Sequence, residues 1–249
     1  MPPRDPEPKY LEPLLGVVFD LDGTLVLSRH DFARMRQSVV RIAEKYGIVP
    51  GHLSVSEPIH RIVEAAREEL RTTGAPDGTI YRFEAEYQKT IDAIEMEALP
   101  RTTQRPGAEP LLKWLTTRGY RLGLLTRSSE FFARGALQQT GLASYFPYLR
   151  TRSAPGPAKP SPDALLAILK EMEVPVDRSL FVGDHLMDAQ CAVAAHVRFY
   201  ALLPDPSEAS NSAQSEDRFL AGGAAAVAKD LFVLARQLGV PTQATAVAP

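Results

Sequence analysis

The sequence predicts an α/β protein: a parallel sheet covered by helices on both faces, with an all-helical segment inserted after the first strand. Three observations carry that reading. From about residue 106 onward, short apolar runs alternate with stretches of helical periodicity. A similar apolar run, residues 14–19, stands far upstream of them. Between the two, residues 28–100 show helical periodicity with no strand signal.

Taken in order, residues 14–19 read as the first strand, ending at Asp20-Leu21-Asp22-Gly23-Thr24. Phe32, Met35, Val39, Ile42 and Tyr46 then recur at helical spacing, with Gly47 as a stop. Ser56 before Glu57-Pro58 is a cap signal for a second helix, whose inner positions are Ile59, Ile62, Val63, Ala66 and Leu70. After the break at residues 74–78, a third helix runs over about 80–98, with Tyr81, Phe83, Tyr87, Ile91, Ile94 and Leu99 as inner candidates. Beyond Pro106-Gly107, helix is expected over 108–117 and strand over 120–125. A helix holding Phe131, Phe132, Ala136 and Leu137 follows, capped by Ser128 or Ser129. A weaker strand spans 146–151, and a Pro- and Gly-rich loop over 153–162 holds Lys159. Helix 163–172, strand 179–182, helix 188–195, strand 197–203 and helix 227–238 complete the pattern, with a polar loop at 204–216.

The insert interrupts the sheet rather than preceding it, so its position is that of a lid over the carboxyl end of strand one. The expected organisation is a core of 14–27 plus 101–240, a cap of 28–100, and loose termini at 1–13 and 241–249. The 249 residues, 45% of them hydrophobic, suffice for a sizeable core. A net charge of −2 without asymmetry argues against nucleic-acid or membrane partners. The single cysteine, Cys191, excludes an internal disulfide or a cysteine-built metal site. The proline-rich, partly acidic start is unlike a leader peptide, and a cytoplasmic location is expected. Oligomeric state carries no signature.

Four features follow candidate strands or lie in a loop on the same side: Asp20 with Asp22, Thr126, Lys159, and Gly183-Asp184 with Asp188. Singly each has an ordinary reading: a type I turn, a cap, a solvated lysine, a helix N-cap. In a parallel sheet, however, strand ends converge on one crevice. Four carboxylates, a hydroxyl and an ammonium gathered there suit metal-assisted phosphoryl transfer. Mg²⁺ takes oxygen ligands. One acid can attack phosphorus, and a second can move the leaving-group proton. A hydroxyl and a lysine can hold the phosphoryl oxygens, and Gly23 permits a tight turn.

These motifs, in this order, resemble those of the haloacid-dehalogenase-like (HAD) hydrolase superfamily over nearly the whole chain, about 14–238. Asp20-Leu21-Asp22-Gly23-Thr24 matches its first motif, Thr126 its second, Lys159-Pro160-Ser161-Pro162 its third, and Gly183-Asp184 with Asp188 its fourth. The resemblance implies a Rossmann-like core with a C1 cap, as in phosphoglycolate phosphatase-like members. It implies Asp20 as nucleophile, Asp22 as general acid/base, and Thr126 and Lys159 as the phosphate-binding pair. Mg²⁺ would be held by Asp20, the Asp22 carbonyl and Asp184, with Asp188 ligating or orienting and Gly23 and Gly183 supporting. Asp22 favours phosphatase or phosphomutase chemistry, since dehalogenases of the family lack that acid.

The expected function is Mg²⁺-dependent hydrolysis of a small phosphorylated metabolite through an aspartyl-phosphate. The alternatives are a phosphomutase or phosphotransferase and, with nothing essential missing, far less a non-catalytic phosphate-binding scaffold. His185 and Arg127 depart from the usual pattern and are possible substrate contacts or, for the histidine, a modulator near neutral pH. Arg34, His30 and Arg82 are the insert's candidates for substrate contact, against the plainer reading of a solvated helix face.

Overall fold

The computed structural model describes residues 14–205 and 215–241. The termini expected to be loose lie outside the described residues except for Pro241, as does most of the 204–216 loop. In chain order, β1 (Gly16–Phe19) is followed by β2 (Val26–Leu27), then α1 (Phe32–Lys45), α2 (Ile59–Thr72) and α3 (Thr79–Ala98). Next come β3 (Thr103–Gln104), α4 (Ala108–Thr117), β4 (Arg121–Leu125), α5 (Glu130–Gln139), β5 (Tyr148–Arg150) and α6 (Pro162–Glu171). β6 (Ser179–Gly183), α7 (Leu186–Ala194), β7 (Arg198–Leu202), α8 (Glu216–Ala221), β8 (Ala226–Ala228) and α9 (Leu231–Gln237) complete it. The chain divides into two compact units, Arg29–Arg101 and the residues flanking it on both sides.

In the flanking unit the strands form one sheet, ordered β5-β4-β1-β6-β7-β8, with every pairing parallel. A central parallel strand is covered on both faces, so it reads as an unbroken apolar run rather than an alternating one. Val17, Val18 and Phe19 are all fully buried. Successive side chains point to opposite faces. Val18, Phe181 and Phe199 therefore share a face, where Leu165 and Ile168 of α6, Cys191 and Ala192 of α7, and Phe219 of α8 pack on them. On the other face Phe19 meets Phe146 edge-on, ring centroids 6.3 Å apart. On the Val18 face Cys191 packs as a small apolar group, its thiol pushed up to about 12 by burial.

The helical unit has its own core. Met35, Val39 and Ala43 of α1, Ile62, Val63 and Leu70 of α2, and Phe83, Tyr87, Ile91 and Ile94 of α3 form one buried cluster. Each apolar stripe recurs every three or four residues, which is what brings those side chains onto one helix face. Two expected inner residues lie outside: Tyr81 is 76% exposed and Phe32 half-exposed. On α5, Phe131 is likewise exposed while Phe132 beside it is buried. Adjacent helical positions are about a hundred degrees apart, so Phe131 and Phe132 point in different directions and only Phe132 reaches the core. Ser56 does not cap α2; Pro58 holds that position without a side-chain bond.

Three strands escaped the sequence reading. β2 and β3 pair antiparallel, Val26 with Gln104 and Leu27 with Thr103, where the chain leaves and rejoins the sheet unit. Residues 226–228 form β8 rather than the start of the last helix, which begins after Asp230 caps it. Among the described residues no helix is long and apolar enough to cross a membrane.

Candidate active site

From β1 the chain passes to β4 and β5 on one side, then to β6, β7 and β8 on the other. The order reverses at β1, and a crevice opens at the carboxyl end of such a strand. Phe19 is in register with Leu124 of β4 and Val182 of β6. Asp20, Thr126 and Asp184 therefore leave the sheet at one edge, and the Asp20 N–H still donates to Val182 O at 2.9 Å. All three side chains are buried.

Lys159 reaches this edge from the loop before α6. Its Nζ stands 2.8 Å from Asp20 Oδ1 and 2.7 Å from Asp188 Oδ1, over the Phe181 ring at 5.5 Å. One ammonium thus sits between two carboxylates, all three residues being buried. Burial alone pulls an ammonium's pKa down; here Asp188 and Asp20 outweigh it and hold Lys159 above its usual value. For Asp20 burial wins instead, pushing the carboxyl up to about 7 against the pull of Lys159, with Asp188 adding to the push. Burial, and then the charges of Asp20 and Asp188, raise Asp184 well above the usual carboxylate range.

The turn after β1 carries Asp22 and Thr24. The N–H groups of Leu25 and Val26 fold back on Leu21 O, and Gly23 N–H donates to Val26 O. Gly23 takes φ +77°, and a Cβ there would collide with the Asp184 carboxylate. That absence of a side chain lets Thr24 Oγ1 donate to Asp184 Oδ1 at 2.7 Å. Gly183 plays the same part under Asp188, whose Oδ2 would meet any Cβ there. Half-buried Asp22 accepts a 2.5 Å hydrogen bond on Oδ2 from Ser128 Oγ. Ser128 N–H in turn donates to Thr126 Oγ1 at 3.1 Å, leaving the threonine hydroxyl proton to point elsewhere.

The two departures from the motif pattern are structurally engaged. Arg127 Nη1 donates to Lys159 O at 2.8 Å, beside Met187 Sδ. His185 is the N-cap of α7, its Nδ1 accepting from Met187 N–H at 3.1 Å. That bond assigns the neutral ring's proton to Nε2, and burial holds the ring's pKa below its usual value. Asp188 closes the capping box from the third helical position, its Oδ2 accepting from His185 N–H. In the helical unit, Arg34 forms an exposed two-pronged pair with Glu97, Arg82 reaches Thr79 Oγ1 on its own helix, and His30 stacks edge-on to Phe32.

Sequence reading missed two residues. Ser128 was a cap candidate, but Ser129 caps α5 and Ser128 serves Asp22. Arg105 carries no sequence signal and is, among the described residues, the bulkiest fully buried side chain, donating to Gly23 O and, at 2.7 Å, to Leu203 O. No local spacing marks either, because their three bonds join residues 82 to 106 positions apart.

The donor set fits a hard divalent cation. Asp20, Asp184 and Asp188 each offer an oxygen within 4.8 Å of the others. With Asp22, four carboxyl groups accompany the two buried cations Lys159 and Arg105, so full ionisation would leave an excess of two negative charges. Burial and, after it, mutual repulsion raise Asp20 and Asp184, and a divalent cation bound among these oxygens would relieve the repulsion. Oxygen-only donors suit Mg²⁺ rather than a softer metal.

A family profile described as haloacid dehalogenase-like hydrolase matches residues 14–196. A phosphoglycolate phosphatase of Pseudomonas fluorescens is 33% identical over 190 residues, 75% of this chain and 68% of the relative. Another, of Rhodospirillum rubrum, is 29% identical over 241 residues and 91% of each chain. Among solved structures, a hydrolase from Pseudomonas syringae shares the fold with TM-score 0.64 at 22% identity, over 90% of this chain and 98% of that one.

Proposed function

The chain belongs to the haloacid dehalogenase-like hydrolases and is an enzyme, and on that premise we propose that it hydrolyses a small phosphomonoester with Mg²⁺ through an aspartyl-phosphate on Asp20. The observation that carries the reading is the convergence at one sheet edge of Asp20, Asp184 and Asp188 with Lys159, while Asp22 stands two residues beyond on a pinned turn. The carboxylates of Asp20 and Asp184 and the backbone carbonyl of Asp22 would hold the cation, with Asp188 beside them. Bound there, Mg²⁺ offsets the repulsion between the acids and a phosphate dianion and polarises a phosphoryl oxygen.

The chain's own groups do the rest. Asp20 attacks phosphorus, the ester P–O bond breaks, and Asp22 gives its proton to the departing oxygen. Asp22 then takes a proton from water as that water attacks phosphorus, releasing Asp20 and inorganic phosphate. The free hydroxyl proton of Thr126 and the Lys159 ammonium bind the non-bridging oxygens, the lysine as a fixed point charge in a dry site. Ser128 holds Asp22 in one rotamer through its hydrogen bond, and Arg127 anchors the loop that carries Lys159. Residues 28–100 we take as the cap that sets substrate choice.

The test is a panel of phosphorylated metabolites scored by phosphate release, with and without Mg²⁺, on the parent and on Asp20→Asn. Two relatives bear the name phosphoglycolate phosphatase, so phosphoglycolate heads the panel. Release that needs both Mg²⁺ and Asp20 supports the reading. Metal-independent release by the variant contradicts it, and phosphate retained on a second organic product marks phosphotransfer instead.

A further inference from the structure

We infer that Arg105 is a positioning residue for this site, acting through the Asp22-Gly23-Thr24 turn. The inference rests on the reading of that site as the hydrolytic centre. Arg105 directly follows β3 and is 2% exposed. A guanidinium stays charged, and burying it is costly unless its donors meet oxygens in good geometry. A core that needed only volume at this position would be better filled by an apolar side chain. The guanidinium is there for what it holds.

It holds one turn from two directions. The Arg105 backbone N–H donates to Leu25 O at 2.8 Å, and its Nη1 donates to Gly23 O. The second arm of the fork, Nη2, donates to Leu203 O at 2.7 Å, where the chain leaves β7. β7 pairs with β6, the strand that ends in Gly183 before Asp184. One rigid, planar fork therefore ties the turn after β1 to the strand next to the one that presents Asp184. Gly23 sits at φ +77°, where the chain has no side chain to resist rotation of its peptide units. On one side of it lies Asp22, gripped by Ser128; on the other lies Thr24, whose hydroxyl orients Asp184. Releasing the Gly23 carbonyl frees both neighbours at once. Arg105 also carries charge close enough to Asp184 to favour its ionised form.

Lysine at this position keeps the charge but, as a point donor, has no planar fork to span two carbonyls. Methionine keeps the bulk and no donor. Arg105→Lys and Arg105→Met would be measured beside a destabilised control remote from the site, Leu234→Ala or Val240→Ala, chosen to match their loss of Tm. Two readouts are taken on each folded protein: kcat and KM for phosphate release, and Mg²⁺ affinity by calorimetry without substrate. The expectation is a kcat loss of about 10- to 100-fold in Arg105→Met, a smaller one in Arg105→Lys, KM within about threefold, and Mg²⁺ binding weakened about tenfold, the scale of a lost partner behind a metal ligand. The control keeps parental kcat and Mg²⁺ affinity.

Parental kcat and Mg²⁺ affinity in the arginine variants, at a Tm loss equal to the control's, overturn the inference and leave Arg105 a structural residue. Should Arg105→Met not fold, Arg105→Lys decides by the same criteria. If the parent releases no phosphate from any substrate, the proposed function fails on its own. The Mg²⁺ titration then judges Arg105 separately: weakened binding supports the role and parental binding ends it.

Discussion

Asp20→Asn is expected to stabilise the metal-free protein at alkaline pH while abolishing turnover. Asp20 is raised from 3.8 to about 7 by burial, so the folded chain holds its proton across a range in which the unfolded chain has lost it. Stability from this group is therefore fully present below about pH 4 and falls as pH rises through about 7. A shift of about 3 units corresponds to a loss of about 4 kcal/mol once the group is ionised in both states. Asparagine has no charge to desolvate, and Lys159 keeps its 2.7 Å contact with Asp188. The pull of Lys159 is already contained in that shift, so the variant should exceed the parent by about 4 kcal/mol at pH 8. The gain should close to nothing near pH 4. Urea melts of both proteins in chelator, at half-unit steps from pH 4.5 to 8.5, give the difference directly, and titrating groups that do not interact with Asp20 cancel in it. Saturating Mg²⁺ should narrow the difference at pH 8, because the cation relieves the same repulsion in the parent. Parallel pH profiles, or a variant less stable than the parent at pH 8, would refute the reasoning that Asp20 is a strained, desolvated acid.

Other expectations follow from single contacts. Ser128→Ala removes the 2.5 Å donor to Asp22 and should lower kcat about tenfold, about 1.4 kcal/mol, with KM for substrate little changed; steady-state kinetics at fixed Mg²⁺ checks it. Gly23→Ala combines a side chain at φ +77° with a collision against Asp184, and should cost about 1–3 kcal/mol in denaturant melts and weaken Mg²⁺ binding in calorimetry. Phe181→Ala removes the fully buried ring under Lys159 and should cost about 3–5 kcal/mol. Raising pH from 5.5 to 8 should tighten Mg²⁺ binding and reduce the protons released per ion, because Asp20 and Asp184 are raised and must be ionised to ligate; calorimetry in buffers of different ionisation enthalpy reads both.

The parts of the fold that could be read in advance are those whose physics is local. β1, β4, β6 and β7 are central and buried on both sides, so their apolar runs are continuous and their ends fall near Asp20, Thr126 and Asp184. The helices of the insert declare themselves by periodicity, though periodicity alone could not tell inward Phe83 from outward Tyr81. What escaped is settled by distant partners. β2 and β3 are two residues each and exist only because they pair across the insert. β8 is a short Ala-Val-Ala edge strand with little local signal, held by β7. Ser128 and Arg105 look like loop residues until the fold sets one against Asp22 and the other against Gly23. His185 was weighed for its titration, yet the fold spends its ring nitrogen on the first turn of α7.

The proposed hydrolysis requires a covalent bond between Asp20 and phosphorus. Enzyme mixed with its best substrate and Mg²⁺, quenched within a turnover and treated with borohydride, converts an acyl phosphate to homoserine, which peptide mass spectrometry locates. The prediction is homoserine in place of Asp20 only when substrate and Mg²⁺ are both present, and none in Asp20→Asn. Sustained turnover with position 20 unmodified at every quench time, or undiminished in Asp20→Asn, would contradict it.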